Sequence, residues 1–369
     1  MKKLLSILKK DAVLTVSFCL ALVSSFFVPP STKYLSYIDF RVLALLLSLM
    51  LSVSGLREGG VFSALSGTLL RRMQSTRALS LLFVLLSFFS SMVITNDVAL
   101  ITFVPFALLL LSEIGKGNLY IPVLVLMTVA ANLGSMLTPL GNPQNLYLYS
   151  LSGMDMGAFL RLMAFPTAIS FILLCLACLF IKPEKIVPPE KATAFSGKDT
   201  AFFLILFFLS LLSVFHVLHF GVSLAITILA VFLYRRHLLL KADYALLFTF
   251  VFFFIFVGNI KEIPAVSAFL SGLTRGREIT VSVLLSQVIS NVPCAMLLSG
   301  FTDNYPALIL GVNLGGLGTL IASMASLISF KQYGGTIGAK KGKYLLVFTL
   351  VNLVFLAVLW LFVSLIPSL

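Results

Sequence analysis

Four short stretches interrupt apolar sequence with residues able to hold a solute. They are Thr95-Asn96-Asp97, residues 131–145 (ANLGSMLTPLGNPQN), Ser290-Asn291-Val292-Pro293, and residues 312–326 (VNLGGLGTLIASMAS). Carboxamides, hydroxyls and one carboxylate offer oxygen and N–H contacts to ions and small anions. From these stretches Thr95, Asn96, Asp97, Thr138, Ser290, Asn291 and Thr319 are expected to touch substrate. Asn96, Asp97, Asn132, Gly134, Asn142, Asn291, Asn313 and Gly315 are expected around a coupling ion, with Na⁺ the metal such oxygens suit. Asn145 is a further candidate. No H-E-x-x-H, no G-x-S-x-G and no pair of acids within an apolar run occurs, so an enzyme is not expected. Cys175 and Cys178 form C-x-x-C without a nearby His or third Cys. All four cysteines lie in apolar runs and are expected to pack as small hydrophobes.

Asp97 stands apart. The other 12 of the 13 acidic residues fall in loops or near expected helix ends. An acid at the centre of a membrane helix costs at least about 2.5–3.5 kcal/mol and usually serves function. Asp97 is expected either to balance a bound cation or to carry a proton; a helix cap is the structural alternative. Pairs such as His216 with His219, and Asp39 with Arg41, sit at expected outer boundaries and are read as interfacial.

The elements that must position these residues follow from composition. Of 369 residues, 60% are hydrophobic and 11% charged, against about 25% charged in a soluble domain. Apolar runs fall at 12–28, 40–56, 78–111, 119–148, 157–181, 200–217, 220–234, 244–260, 278–300, 306–330 and 344–366. About 20 such residues cross a bilayer. The fold class expected is therefore an all-α polytopic membrane protein. The net charge of +13 needs no nucleic acid: with a cytoplasmic N-terminus, 20 of the 26 Lys and Arg lie inside, as the positive-inside rule requires. That split holds only if 78–111 and 278–300 are hairpins entering and leaving on one side. The first run is read as a retained helix, because Pro29-Pro30 gives no cleavage site. Residues 61–73 are too short to span and are placed on the cytoplasmic surface.

The order of features repeats across a cytoplasmic linker at 182–199. Thr95-Asn96 aligns with Ser290-Asn291, and Asn132-Leu133-Gly134 with Asn313-Leu314-Gly315, bringing Thr138 opposite Thr319. The expected plan is an inverted-topology repeat: residues 1–181 with a re-entrant hairpin (78–111) and a discontinuous helix (119–148), then 200–369 with a second hairpin (278–300) and a second discontinuous helix (306–330). Hairpin arms of about 15 residues rise about 22 Å, so their tips would end inside the membrane. Free amides there suit an anion, and the Asn-Leu-Gly stretches are expected to unwind and present carbonyls to a cation.

At Thr95-Asn96-Asp97, 131–145 and 311–323 the chain resembles the ion transporter superfamily, in order of elements over nearly its whole length. That group includes divalent anion/Na⁺ symporters, citrate transporters, arsenite permeases and Na⁺/H⁺ antiporters. In the dicarboxylate branch each tip carries Ser-Asn-Thr. Here the tips read Thr95-Asn96-Asp97 and Ser290-Asn291-Val292, and the acid is more like the arsenite-permease and antiporter branches. The resemblance implies a transport body moving against a scaffold, often within a homodimer. The expected function is secondary active transport of a small anion, a carboxylate or inorganic oxyanion, coupled to Na⁺ or H⁺, with no organic cofactor, in the plasma membrane of a prokaryote. Arsenite or antimonite efflux, Na⁺/H⁺ antiport and a passive channel are the alternatives.

Overall fold

The computed structural model describes residues 12–61, 73–186, 196–215 and 217–364. Among these residues helices account for the regular structure, and one isolated bridge joins Ser75 to Lys185. Nine helices of the described residues are long and apolar enough to cross a membrane. The protein is an all-α polytopic membrane protein. The surface stretch expected at 61–73 lies almost wholly outside the described residues; His216 and half of the 182–199 linker also lie outside them.

In chain order the first half holds α1 (Ala12–Phe27), α2 (Lys33–Tyr37), α3 (Phe40–Glu58), α4 (Thr76–Ile94), α5 (Asn96–Glu113), α6 (Tyr120–Ser135), α7 (Pro143–Ser152) and α8 (Met156–Leu179). The second holds α9 (Gly197–Val214), α10 (Phe220–Arg235), α11 (Tyr244–Lys261), α12 (Pro264–Thr274), α13 (Glu278–Ile289), α14 (Asn291–Leu298), α15 (Tyr305–Leu314), α16 (Met324–Gly334) and α17 (Lys341–Ser364). The short helices α2 and α12 were not expected from the apolar runs. Helix starts are set by local chemistry. Ser75, Asn142 and Asp155 each accept a hydrogen bond from a first-turn amide, and Pro143 opens α7 where no amide donor is needed.

Helix α6 is the centre of the molecule: Val123 to Ser135 are buried without exception. Outer helices do the reverse. Phe180 is 91% exposed and Leu233 74% exposed, a surface that hydrocarbon accepts and water does not.

Helices α4 and α5 form a hairpin, since Phe83 and Phe106, at similar heights on opposite arms, meet at 6.0 Å. Its arms hold 19 and 18 residues, longer than expected from the sequence, and each is long enough to span. Tip depth therefore depends on tilt as well as on length. The second hairpin, α13 and α14, is shorter, with arms of 12 and 8 residues. Thr302 closes its open end by donating to Glu278 at 2.7 Å. The chain after α8 returns beside the start of α4, where Thr76 N donates to Glu184 O at 2.9 Å and Ile186 N to Gln74 O at 3.1 Å. The open end of the first hairpin and the start of the linker thus share one side.

Candidate functional site

Each hairpin turns on one residue. Thr95 has φ 72 and Ser290 φ 73, the only non-glycine residues with positive φ among those described. With ψ near 150, both occupy a region that glycine normally takes, and holding it costs about 1–3 kcal/mol. Such strain persists only where surrounding contacts over-determine it. The contacts are the same at both tips. Asn96 N donates to Gly141 O at 2.9 Å, and Asn291 N donates to Ala322 O at 2.9 Å. Gly141 and Ala322 occupy matching positions when Asn132 is set against Asn313.

The match continues inward. Thr138 Oγ1 donates to Met92 O, and Thr319 Oγ1 donates to Gln287 O at 3.0 Å. A Cβ at Gly134 would meet Ser91 Oγ at 2.7 Å, and one at Gly315 would meet Ser286 Oγ at 2.6 Å. So Thr138 and Thr319 spend their hydroxyl protons tying each break to its own hairpin, and Gly134 and Gly315 permit the close approach. Neither threonine donates to a substrate in this arrangement. Asn132-Leu133-Gly134 lies in the last turn of α6, Asn313-Leu314 ends α15 with Gly315 as its cap, and the unwound backbone is 136–142 and 315–323. It starts later than expected because no glycine or proline ends either helix before that turn.

Between the halves the two asparagines cross. Asn132 Oδ1 accepts from Ser323 Oγ at 3.0 Å, and its Nδ2 donates to Ser326 Oγ at 3.4 Å and Gly316 O at 3.5 Å. Asn313 Oδ1 accepts from Asn142 Nδ2 at 3.2 Å, and its Nδ2 donates to Asn145 Oδ1 at 2.6 Å. Ser323 and Ser326 stand where Asn142 and Asn145 stand in the other half. Asn96 joins by donating to Asn132 Oδ1 at 3.1 Å. Asn291 Nδ2 lies against Gly316, where a Cβ would be 2.9 Å away. The tips are therefore close, linked through Asn132 and Gly316. Sequence reasoning missed Ser323 and Ser326, although carrying the Asn-Leu-Gly alignment onward reaches both.

Two features separate the halves. Side-chain amides occupy the freed carbonyls differently. Gln287 Nε2 donates to Gly315 O at 3.1 Å and Leu317 O at 2.9 Å, while its Oε1 accepts from Thr319 N at 2.8 Å. Met92, opposite Gln287 in the alignment, can do none of this. In the first half Asn145 Nδ2 reaches the carbonyls of Ser135, Met136 and Thr138 at 3.3–3.4 Å. The tips also differ. At the first, Asn96 Oδ1 accepts from Asp97 N at 2.9 Å and Thr95 Oγ1 from Val98 N at 3.4 Å, so the start of α5 is self-capped. The free amides expected there are already bonded. At the second, no side chain caps α14, and Asn291, 4% exposed, has no side-chain hydrogen bond among the described residues.

A cavity of about 180 Å³ reaches the first tip, lined by Thr95, Asp97 and Asn142 and, across from them, Arg57, Lys241 and Asp243. The Asp97 carboxylate faces it without a hydrogen-bond donor or cation at bonding distance among the described residues. A second cavity of about 310 Å³ lies at the other end of α7, lined by Tyr147, Met296, Ser299 and Tyr305 together with Asp39 and Lys261. Tyr147 and Ser299, hydrogen-bonded at 2.8 Å, form part of its wall. No group of three or more His, Cys, Asp or Glu able to hold a metal occurs among the described residues.

Known proteins place this architecture. A family model described as citrate transporter matches residues 4–304. The chain is 32% identical to an uncharacterized transporter of Methanocaldococcus jannaschii, over 87% of this chain and 88% of that protein. It is 33% identical to the inner membrane protein YbiR of Escherichia coli, over 84% of each. A shorter match, 31% identical over 39% of this chain and 30% of its partner, is to the silicon efflux transporter LSI3 of Oryza sativa subsp. japonica. Broken helices, paired hairpins and a polar core inside an apolar shell are thus those of a multi-pass membrane transporter, whose substrate is an ion or small molecule, and the chain belongs to the citrate transporter family.

Proposed function

We propose that the protein is a secondary active transporter of a small anion, a carboxylate or inorganic oxyanion, coupled to H⁺ or Na⁺. The observation that carries this reading is the difference between the two tips. The first presents an unpartnered carboxylate, Asp97, to a cavity, and its amides are internally satisfied. The second presents an uncapped helix start and the unpartnered amide of Asn291. A cation or proton suits the first, and an anion suits the second. The coupling ion is assigned to Asp97 with Asn142 and Thr95, and the anion to Asn291; Ser290, whose hydroxyl donates to Ala322 O at 3.4 Å, holds the tip in place. Asn96, Asn132 and Asn313 position the two sites, and Gly134 and Gly315 let the hairpins close on them.

The paired contacts also support an inverted repeat with re-entrant hairpins, in which equivalent hydrogen bonds recur from opposite sides of a pseudo-two-fold axis. Localisation in a prokaryotic plasma membrane with the N-terminus inside rests on the charge distribution. A homodimer remains an expectation of the family resemblance.

Uptake into proteoliposomes of citrate, succinate, sulfate and phosphate, with and without Na⁺ and pH gradients, tests the reading. Asp97→Asn is expected to remove the dependence on the coupling gradient while downhill anion exchange persists. Asn291→Ala is expected to raise the anion KM by about tenfold, the equivalent of one lost hydrogen bond to a charged group. Gradient-driven uptake unchanged in Asp97→Asn defeats the coupling assignment. A second reading, Na⁺/H⁺ antiport, follows from the same unpartnered acid. It predicts Na⁺-driven proton movement with none of the four anions present.

A further inference from the structure

The two cavities share a pattern outside the tips. Helix α3 starts at Asp39, which accepts from Val42 N at 3.0 Å, and its last turn carries Arg57. Helix α11 starts at Asp243, which accepts from Leu246 N at 3.0 Å, and it ends at Lys261. Asp39 and Lys261 line the 310 Å³ cavity; Asp243 and Arg57 line the 180 Å³ cavity. The two helices, of 19 and 18 residues and so about 27–28 Å long, therefore run between the cavities in opposite directions.

The neighbouring charges match as well. Glu58, after Arg57, binds His237 at 2.7 Å and Lys241 at 2.9 Å. Glu262, after Lys261, pairs with Lys33 at 3.6 Å. These pairs use the cation Lys241 in one cavity and the acid Glu262 in the other. Among the described residues no acid pairs with Arg57 or Lys261. A basic residue at a helix C-terminus is favoured by the helix dipole and often simply snorkels to water. Here both are exposed, and each also lines a cavity wall, at equivalent places on the two sides.

We propose that Arg57 and Lys261 are matched anion-docking residues, each receiving the carboxylate or oxyanion at its own mouth of the pathway. This rests on the anion-transport reading above. A guanidinium and an ammonium both hold such groups through charge-assisted hydrogen bonds. Because the two lie at opposite ends of α3 and α11, each acts on one direction of entry.

The test measures initial rates from each side in orientation-sorted proteoliposomes, using whichever of citrate, succinate, sulfate or phosphate the wild type carries fastest. Lys261→Gln is expected to raise KM about tenfold or more for entry from its own side, with KM from the other side within about twofold. Arg57→Gln is expected to do the reverse. Arg57→Lys and Lys261→Arg are expected to recover most of the affinity, which a packing role would not produce. An equal KM change from both sides, no KM change, or a lower maximal rate at constant KM overturns the proposal. If the wild type carries none of the four anions, the anion reading itself falls, and this proposal with it.

Discussion

Gly134→Ala is expected to prevent the protein from folding, or to leave it several kcal/mol less stable. A Cβ at this position would lie 2.0 Å from Phe88 O and 2.8 Å from Phe88 C. Those are backbone atoms of α4, already fixed by helix hydrogen bonds, so no side-chain rotation relieves the clash. Relief requires α4 to part from α6, the helix buried on every face. Overpacking typically costs about 1–3 kcal/mol when side chains can yield; with backbone on both sides the cost goes beyond that range. Gly315→Ala meets Ser286 Oγ at 2.6 Å and Cβ at 2.8 Å; the hydroxyl can rotate away and the remaining overlap is smaller than at Gly134, so the cost should fall within that range. Melting of both variants in detergent, read by size-exclusion chromatography, checks the order. A Gly134→Ala protein as stable as wild type would mean that α4 and α6 do not approach this closely.

The layout of the molecule was legible in its apolar runs, and the chemistry in the few residues those runs should have excluded. Asn96, Asn132, Asn291 and Asn313 were found because a carboxamide in a membrane helix demands a partner. What the sequence concealed were the partners. Whether Thr138 points at a solute or at Met92 O depends on how α4 lies against the break, and no local pattern encodes that. Gln287 was passed over because a single glutamine in a helix arm looks solvated until the carbonyls of Gly315 and Leu317 are placed around it. The first hairpin's arms were drawn too short and the second's too long, because composition marks only the turn and not where each arm ends. Arg57 and Lys261 counted only toward the charge split; their cavities form between segments far apart in the chain.

Asn313→Leu is expected to abolish transport and to destabilise the protein more than a single lost hydrogen bond would. The substitution keeps the side-chain volume but strands Asn145 Oδ1 and takes one of two acceptors from Asn142 Nδ2, which retains Ser135 Oγ at 3.1 Å. Interhelical hydrogen bonds in membranes contribute only about 0.6 kcal/mol on average, whereas a buried polar group left unpaired costs about 1–3 kcal/mol. The stranded groups therefore dominate. Asn313→Asp does no better, since its oxygens cannot donate to Asn145 Oδ1 at 2.6 Å and repel it instead. Asn132→Leu strands the Asn96 amide and the Ser323 and Ser326 hydroxyls in the same way. The two crossings hold one seam between the halves, so the double variant is expected to cost less than the two singles added together, because either substitution already loosens what the other secures. Unfolding free energies from a double-mutant cycle in SDS titration decide this. Costs that add to within about 0.5 kcal/mol would show two independent patches, and the two halves would then be free to move separately at the point where ion and anion are proposed to be coupled.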